Sequence, residues 1–343
     1  MVELTKGNIL DAEADALVNT VNTVGVMGKG IALQFKQAFP KNFDEYRKAC
    51  ARGAVVPGKM FVVHTNRLGN PRLIVNFPTK RHWKGKSRME DITAGLSDLA
   101  DVIRRENIRS IAIPPLGCGN GGLDWDEVRP NIVHALADLP DLRVLVFSPA
   151  GAPPVDEMPV ATTPPRMNDN RAALITMMFD YGVPGYHLTL LEIQKLAYFL
   201  QLAMQPLKLN FVKQRYGPYA EDLNYMLQRM EGHFIRGYGD RSSEASVSVL
   251  PNAISEASRF LADDNATMER INRVDELIEG FENPHGMELL ATVRWVIGED
   301  KTAVQDPKRA VELVHDWNDR KQKIFPRAHI LAAHKQLVER GWI

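Results

Sequence analysis

The 343-residue sequence lacks the features of a secreted, membrane or metal-binding protein. Only two cysteines, Cys50 and Cys118, are present, too few for a disulfide framework or a cysteine-based metal site, and this favours a reducing compartment. No apolar run approaches the roughly 18 residues of a membrane span. Acidic and basic residues between Glu3 and Glu13 interrupt the first segment, so we expect no secretory signal and a cytoplasmic protein. An excess of one charge is also missing, since 42 basic residues balance 42 acidic ones.

The first 150 residues alternate between two kinds of apolar pattern. Short β-branched or alternating runs predict six strands, at 2–4, 16–21, 60–64, 73–77, 111–114 and 142–147. Apolar positions at helical spacing predict helices between them, at 31–39, 42–52, 88–106 and 125–137. Strands that alternate with helices indicate an α/β domain with helices on both faces of one sheet.

A change of composition separates this domain, residues 1–150, from the rest of the chain. Residues 149–165 contain six prolines, which predicts an extended linker at 151–168. The second domain, 169–343, is predicted to be mainly α-helical with a single strand at 207–212. Its predicted helices cover 190–200, 253–262, 268–281, 287–296, 310–317 and 329–340.

Two glycine-rich segments of the first domain each follow a strand and precede a helix. Glycines let backbone N–H groups turn toward a phosphate, and the following helix N-terminus adds its unpaired donors. One such segment alone could be a tight connection, whereas two could hold a diphosphate from both sides. The candidate residues of the first are Asn22, Gly25, Val26, Met27, Gly28, Gly30, Ile31 and Ala32. Those of the second are Leu116, Gly117, Cys118, Gly119, Asn120, Gly121, Gly122 and Leu123.

The glycine spacing matches neither a Walker A loop nor a dinucleotide fingerprint, so nucleotide hydrolysis and hydride transfer lose support. A third segment, residues 80–88, is called the basic loop here. It carries five basic residues around one tryptophan and one histidine, which suits contact with single-stranded nucleic acid, although a solvated basic loop is the simpler alternative. Its candidate nucleic-acid contacts are Arg81, Trp83, Lys84 and Lys86.

The first domain resembles the macrodomain family, which binds ADP-ribose. The resemblance rests on the segments at 7–10, 19–22 and 115–123, and it implies a three-layer α/β/α macrodomain with a mixed central sheet. By that resemblance Asn8 and Ile9 lie near the adenine, and Asn22 lies beside the distal ribose. An Asx-type cap is the alternative for Asn22. Phe147 matches an aromatic position that lines the pocket, and a core position is equally plausible.

The pair Thr79-Lys80 resembles a macrodomain subgroup that removes terminal ADP-ribose with a catalytic lysine. The resemblance implies that Lys80 is catalytic and that the substrate is ADP-ribosylated single-stranded DNA, with ADP-ribose as product. A lysine amine could attack the anomeric carbon to form an imine. That subgroup carries a partner carboxylate in the second glycine segment, where this chain has Gly121, and the nearest acid is Asp124. Lys80 could instead stabilise the transition state electrostatically, and His82 is a candidate proton carrier.

In the second domain, residues 190–200 and 216–223 resemble the C-terminal region of macrodomain antitoxins. The resemblance implies that this domain binds and blocks an ADP-ribosyltransferase toxin, DarT. An interdomain or homodimer contact is the alternative. No cofactor and no metal are expected. Two alternatives remain for the first domain: a non-catalytic reader of ADP-ribose, or a hydrolase of ADP-ribose 1″-phosphate or O-acetyl-ADP-ribose.

Overall fold

A computed structural model describes residues 2–28, 30–67, 69–149, 159–182, 185–238 and 246–343. The chain divides into two compact units, Met1–Thr163 and Pro164–Ile343. Of the predicted linker, residues 151–158 lie outside the described residues. Ala161 belongs to the first unit, where its N–H donates to the carbonyl of Gln37 (2.8 Å). In the part of the chain that the structure describes, no helix is both long and apolar enough to cross a membrane.

The first unit contains one mixed six-stranded sheet in the order β1-β6-β5-β2-β4-β3. Only β3 runs antiparallel, against β4, and the other neighbouring strands are parallel. All six predicted strands are confirmed, with small shifts at their ends. The strands are β1 (Val2–Thr5), β2 (Ala16–Asn22), β3 (Phe61–His64), β4 (Leu73–Lys80), β5 (Ser110–Ile113) and β6 (Arg143–Phe147).

Helices cover both faces of this sheet. On β2, Val18 packs in the same buried cluster as Leu96 of α3, whereas its neighbour Leu17 packs with Phe35 of α1. Successive strand residues point to opposite faces, so this alternation means that the sheet has a helix layer on each side. The three-layer α/β/α prediction is confirmed. The four helices are α1 (Gly30–Ala38), α2 (Pro40–Ala51), α3 (Met89–Arg105) and α4 (Trp125–Ala135).

The second unit is mainly helical and surrounds one large buried cluster. Its helices are α5 (Asp169–Tyr181), α6 (Leu190–Leu202), α7 (Glu221–Met230), α8 (Pro251–Phe260), α9 (Asn265–Ile278), α10 (Pro284–Glu299), α11 (Thr302–Gln305), α12 (Pro307–His315), α13 (Asp319–Ile324) and α14 (Arg327–Glu339). Its short strands are β7 (Leu188–Thr189), β8 (Phe211–Gln214), β9 (Gly217–Ala220), β10 (Ile235–Arg236) and β11 (Ser246–Val249).

The prediction of a single strand at 207–212 is wrong for most of its length. Leu207 and Leu209 are buried as the alternating pattern implied, but Lys208 between them has a φ of +57°. The backbone N–H and carbonyl of Leu209 bond to the side-chain amide of Gln201 (2.7 and 2.9 Å) rather than to a neighbouring strand. A side chain on α6 thus replaces the strand partner, and β8 begins only at Phe211.

Candidate active site

The carboxyl ends of β2 and β5 define the edge of the sheet where a ligand crevice is expected. These strands are parallel neighbours. The chain continues from β2 toward β3 and β4 on one side of the sheet, and from β5 toward β6 on the other. Such a reversal opens a crevice at the strand ends. Because one glycine segment follows each strand, the fold brings both segments to this edge.

The first glycine loop, residues 23–30, is shaped by the side chain of Asn22. Its Oδ1 accepts from the N–H groups of Val24 (3.0 Å) and Val26 (3.3 Å), and its Nδ2 donates to the carbonyl of Val26 (2.5 Å). The hydroxyl of buried Tyr46 donates to the Asn22 backbone carbonyl (2.6 Å). The Asx-type cap is therefore present. Contact of Asn22 with the ribose stays a prediction.

Close packing against α2 and β2 also holds this loop. Gly25 has a φ of +83°, and a Cβ there would lie 3.4 Å from the Cβ of Cys50. Met27 is buried, and its Sδ accepts from the Nδ2 of Asn19 (3.8 Å). The same amide donates to Oδ1 of Asn76 on β4 (3.0 Å). A buried polar contact between the central strands thus anchors a loop residue predicted to bind the ligand.

Lys80 lies where β4 meets both glycine loops. In the β2–β4 register, Lys80 pairs with Asn22, and the register shifts just before this pair because Thr79 is an additional residue of β4. Its Nζ donates to the backbone carbonyl of Asn120 in the second glycine loop. The preceding Thr79 is buried. The fold therefore brings together Asn22, Lys80 and Asn120, which lie in three separate segments of the sequence.

The second glycine loop, residues 116–123, is held by its own backbone and by the basic loop. The N–H of Leu123 donates to the carbonyl of Gly117 (3.0 Å), and the N–H of Ser87 donates to the carbonyl of Gly121 (3.0 Å). A Cβ added to Gly30 would lie 3.6 Å from the Nδ2 of Asn120. The two glycine loops therefore approach each other, as a clamp on a diphosphate requires.

No side chain fits at position 121. A Cβ there would lie 2.2 Å from the carbonyl oxygen of Gly117 and 2.3 Å from the Oγ of Ser87. The nearby carboxylate of Asp124 accepts from the N–H of Asp126 (2.9 Å) and caps α4. The missing acid in this loop is thus a consequence of its packing, and the nearest acid has a structural role.

Cys118 is the one thiol of the second glycine loop. Burial, together with the carboxylate of Asp124, raises the pKa of Cys118 to about 11. The group is therefore a protonated thiol near neutral pH, and a thiol is a weak nucleophile. Cys118 can line the ligand but is a poor candidate for the attacking group.

The residues predicted to lie near the adenine are held in ordinary structural contacts. Asn8 Oδ1 accepts from the N–H of Leu10 (3.1 Å) and caps a 3₁₀ turn, Ile9–Asp11. Ile9 and Phe147 are both buried in the cluster that packs against α1. The core alternative for Phe147 therefore describes its surroundings, and adenine contact by these residues stays a prediction.

Most of the basic loop is exposed, and its aromatic and basic side chains contact one another. Trp83 is 38% exposed. Its ring stacks on His82 with centroids 5.5 Å apart, and the Nζ of Lys84 lies 4.8 Å from its centroid. Lys86 is exposed as well. Trp83 is still accessible, and contact of this loop with a base and phosphates stays a prediction.

Arg81 differs from the other predicted nucleic-acid contacts. Its guanidinium makes two bonds to the buried carboxylate of Asp91, from Nε to Oδ2 (3.3 Å) and from Nη2 to Oδ1 (3.0 Å). Its backbone carbonyl accepts from the hydroxyl of Thr23 (2.6 Å). The Arg81 side chain is therefore already paired, and its main contacts are within the protein.

The remaining predicted ligand residues lie in the same two loops or at the start of α1. Leu116 is fully buried, Ile31 and Leu123 pack against the cores on the two faces of the sheet, and Gly119 is exposed. The others are Gly28, Ala32 and Gly122. Among the described residues, no group of three or more His, Cys, Asp or Glu side chains is arranged to hold a metal ion.

Sequence reasoning missed four residues that shape the site: Thr23, Tyr46, Ser87 and Asp91. Each acts through a contact with a residue of another element or loop, as between Thr23 and Arg81. Tyr46 and Asp91 lie on predicted helices. A polar group on the buried face of a helix is the only sign of their role that the sequence offers. The sequence carried no pattern that identified their partners.

Comparison with known proteins agrees with this architecture. Residues 18–132 match the family model described as Macro domain, and the predicted macrodomain fold is confirmed. The macrodomain of Mycobacterium tuberculosis DarG is 55% identical over 44% of this chain and 99% of that one, with a TM-score of 0.43. A DNA ADP-ribosyl transferase-DNA ADP-ribosyl glycohydrolase fusion protein of Thermosipho africanus is 32% identical over 163 residues, covering 43% of this chain and 42% of that protein.

A further relative is similar over nearly the whole length of both proteins. The chain is 47% identical over 341 residues to a DNA ADP-ribosyl glycohydrolase of Thermus aquaticus, covering 99% of this chain and 94% of that protein. Similarity at this level extends through both units. The chain therefore belongs to the DNA ADP-ribosyl glycohydrolase (DarG) family.

Proposed function

We propose that the first unit hydrolyses the bond between ADP-ribose and a base of single-stranded DNA, with Lys80 as the catalytic residue. The observation that carries the proposal is the Lys80 amine at the carbonyl of Asn120, where β4 meets the second glycine loop. Asn22, its partner in the sheet register, ends β2 and caps the first glycine loop. A diphosphate held by both loops would bring its distal ribose to this amine.

In the proposed reaction, a water oxygen forms a bond to the anomeric carbon of the distal ribose. The bond from that carbon to the base nitrogen breaks, and the departing base takes up the proton that the attacking water loses. Negative charge develops on the base as it leaves. A cationic Lys80 beside it would stabilise that charge in the transition state.

The packing around Lys80 favours this electrostatic role over covalent attack. An attacking amine must lose a proton, and the macrodomain subgroup with a catalytic lysine keeps a carboxylate nearby for that purpose. Here Gly121 leaves no space for such a side chain, and the Asp124 carboxylate caps α4. Lys80 is therefore proposed to act through its positive charge rather than as a nucleophile.

Substitutions at Lys80 test both the assignment and the mechanism. Lys80→Ala is expected to lower kcat on an ADP-ribosylated single-stranded oligonucleotide by about 10²–10³-fold, the scale of losing one preorganised electrostatic contact. Lys80→Arg keeps the charge but cannot form an imine, so it should retain measurable turnover. Single-turnover release of ADP-ribose measures both rates.

Two outcomes would contradict these assignments. Full activity in Lys80→Ala would remove Lys80 from the catalytic role. Trapping of the wild-type protein with borohydride as a covalent ADP-ribose adduct, together with an inactive Lys80→Arg, would favour the imine route. Binding of ADP-ribose without turnover on any substrate would identify a reader instead.

The basic loop supports DNA as the substrate to which ADP-ribose is attached. The half-exposed ring of Trp83 offers a face on which an unpaired base can stack, and Lys84 and Lys86 offer cations for phosphates. Turnover of the modified oligonucleotide can be compared with that of O-acetyl-ADP-ribose. Only the oligonucleotide should depend on the basic loop and on salt concentration.

We also infer that the second unit binds an ADP-ribosyltransferase toxin of the DarT type. The Thermosipho relative, named as a fusion of transferase and glycohydrolase, supports a link between the two activities. The motif at 190–200 forms most of α6, whose residues from Glu192 to Leu200 are all buried. That motif therefore builds the core of the unit, and contact with a toxin would involve exposed side chains elsewhere.

A further inference from the structure

The basic loop is joined near its two ends to the two glycine loops. Near its start, the carbonyl of Arg81 accepts from the hydroxyl of Thr23 in the first glycine loop (2.6 Å). Near its end, the N–H of Ser87 donates to the carbonyl of Gly121 in the second (3.0 Å). The loop thus spans the two segments that hold ADP-ribose in the proposed function.

An ion pair closes this loop on the first turn of α3. The Arg81 guanidinium bonds to both oxygens of Asp91 (3.0 and 3.3 Å), and the Asp91 side chain is only 10% exposed. These hydrogen bonds and the carboxylate charge raise the pKa of Arg81. Two parallel bonds fix the orientation of the guanidinium as well as its distance. Asp91 also lies at the helix N-terminus, where negative charge is favourable.

The contacts that hold the glycine loops do not include this ion pair. The first glycine loop is capped by Asn22, and the second is closed between Leu123 and Gly117. Trp83 and Lys84, in contrast, lie between the Arg81 and Ser87 anchors. Loss of the ion pair should therefore free the DNA-facing side chains while the ADP-ribose loops keep their shape.

We propose that Asp91 is a positioning residue that holds the basic loop, through Arg81, in the conformation that accepts DNA. Asp91 then determines how well the enzyme uses ADP-ribosylated DNA rather than how well it binds ADP-ribose. The inference rests on the proposed function. Without the anchor, the loop must be ordered at the moment of binding, and that ordering reduces affinity for the nucleic acid.

The test compares three variants of the full chain. Asp91→Asn keeps the size of the side chain and removes the negative charge that pairs with Arg81. Thr23→Val removes the other bond at the same end of the loop. Glu90→Gln, at an exposed position in the same helix turn, is the matched control: the Glu90 charge also acts on Arg81, whereas the two bonds to the guanidinium come from Asp91.

Asp91→Asn is expected to raise KM for an ADP-ribosylated single-stranded oligonucleotide roughly tenfold, the scale of one charge-assisted hydrogen bond, with kcat within about twofold. Thr23→Val should shift KM in the same direction. The Kd of free ADP-ribose, measured by calorimetry, should change by less than about twofold in Asp91→Asn. Glu90→Gln should leave KM and Kd at wild-type values.

An unchanged KM in Asp91→Asn would overturn the inference, and so would a rise in ADP-ribose Kd equal to the rise in KM, which would indicate a general loss of structure. An equal effect of Glu90→Gln would mean that net charge, not the ion pair, is responsible. A wild-type protein that releases no ADP-ribose from the oligonucleotide would refute the proposed function itself, before any variant is compared.

Discussion

At the residue scale, the packing of Gly121 limits which side chains the second glycine loop can carry. The carbonyl of Gly117 and the hydroxyl of Ser87 occupy the space that any Cβ would need. Neither an acidic residue nor alanine can therefore be added without moving the loop. A glycine suits the predicted phosphate-binding loop, and the packing leaves no space for the carboxylate that a covalent lysine mechanism would use.

Gly121→Ala is expected to destabilise the first unit by about 1–3 kcal/mol, the usual cost of overpacking, because backbone rather than a flexible side chain must move. The same shift should weaken ADP-ribose binding by roughly tenfold or more. Thermal unfolding and calorimetry measure the two effects. Gly119→Ala is the matched control for stability, since a Cβ there meets nothing within 4 Å. Equal stability of both variants would contradict the packing argument.

Individual site residues could be predicted only where a local pattern marks them. Lys80 and Asn22 follow predicted strands and match family positions, and the fold does bring them together. In the sequence, Asp91 is indistinguishable from any acidic residue in the first turn of a helix. Its role depends on Arg81, and the two side chains are in contact because the basic loop brings Arg81 to the first turn of α3. Side-chain pairing of this kind has no periodic signal in the sequence.

At the element scale, the success of sequence reasoning follows the kind of strand involved. The central strands β2 and β4 are buried over most of their lengths, so their sequences contain the apolar runs by which buried strands are recognised. The strands of the second unit are two to four residues long. β9 contains Gly217 and Pro218, residues that are depleted in strands. Such short pairs depend on tertiary contacts and cannot be recognised by alternation.

Several elements of the second unit share a buried group of charges. Lys195 of α6 is 1% exposed, and its Nζ donates to the carbonyl of Pro218 on β9 (2.7 Å). Fully buried Lys321 of α13 donates to Glu288 (2.9 Å) and Thr292 (2.9 Å), both on α10. Burial and the charge of Lys321 lower the pKa of Lys195 to about 7, although Glu288 opposes the shift.

This lowered pKa predicts a pH dependence of stability. Above the folded pKa of about 7 and below the ordinary lysine value, the unfolded chain binds a proton at Lys195 that the folded chain does not. Stability of the second unit should therefore rise with pH, by up to about 1.4 kcal/mol per pH unit. The window of about pH 7.5 to 8.5 lies below the ordinary titration range of tyrosine, and both cysteines of the sequence lie in the first unit.

Lys195→Met should flatten this slope, and exposed Lys308→Met should keep the wild-type slope. Hydrogen exchange of the α6 amides reports the free energy of opening at each pH. A wild-type slope that matches the slope of Lys195→Met would contradict the assignment to Lys195.

At the scale of the whole molecule, each unit has its own hydrophobic core. The largest buried cluster draws its residues from 172–342, and the three clusters of the first unit draw theirs from 9–147. A domain with its own core can in principle fold alone. We therefore expect hydrolysis and toxin binding to be separable by cutting the chain between Thr163 and Pro164.

Residues 1–163 alone should release ADP-ribose from a modified oligonucleotide with kcat/KM within about threefold of the full chain, because all the residues of the proposed site lie in that unit. Residues 164–343 alone should co-purify with a DarT-type toxin and suppress DNA modification without reversing it. The full-length Lys80→Ala protein should behave as the second fragment does. A folded second fragment that fails to bind the toxin at micromolar concentration would leave that unit without its proposed role. Loss of hydrolysis in a folded first fragment would mean that the second unit contributes to catalysis.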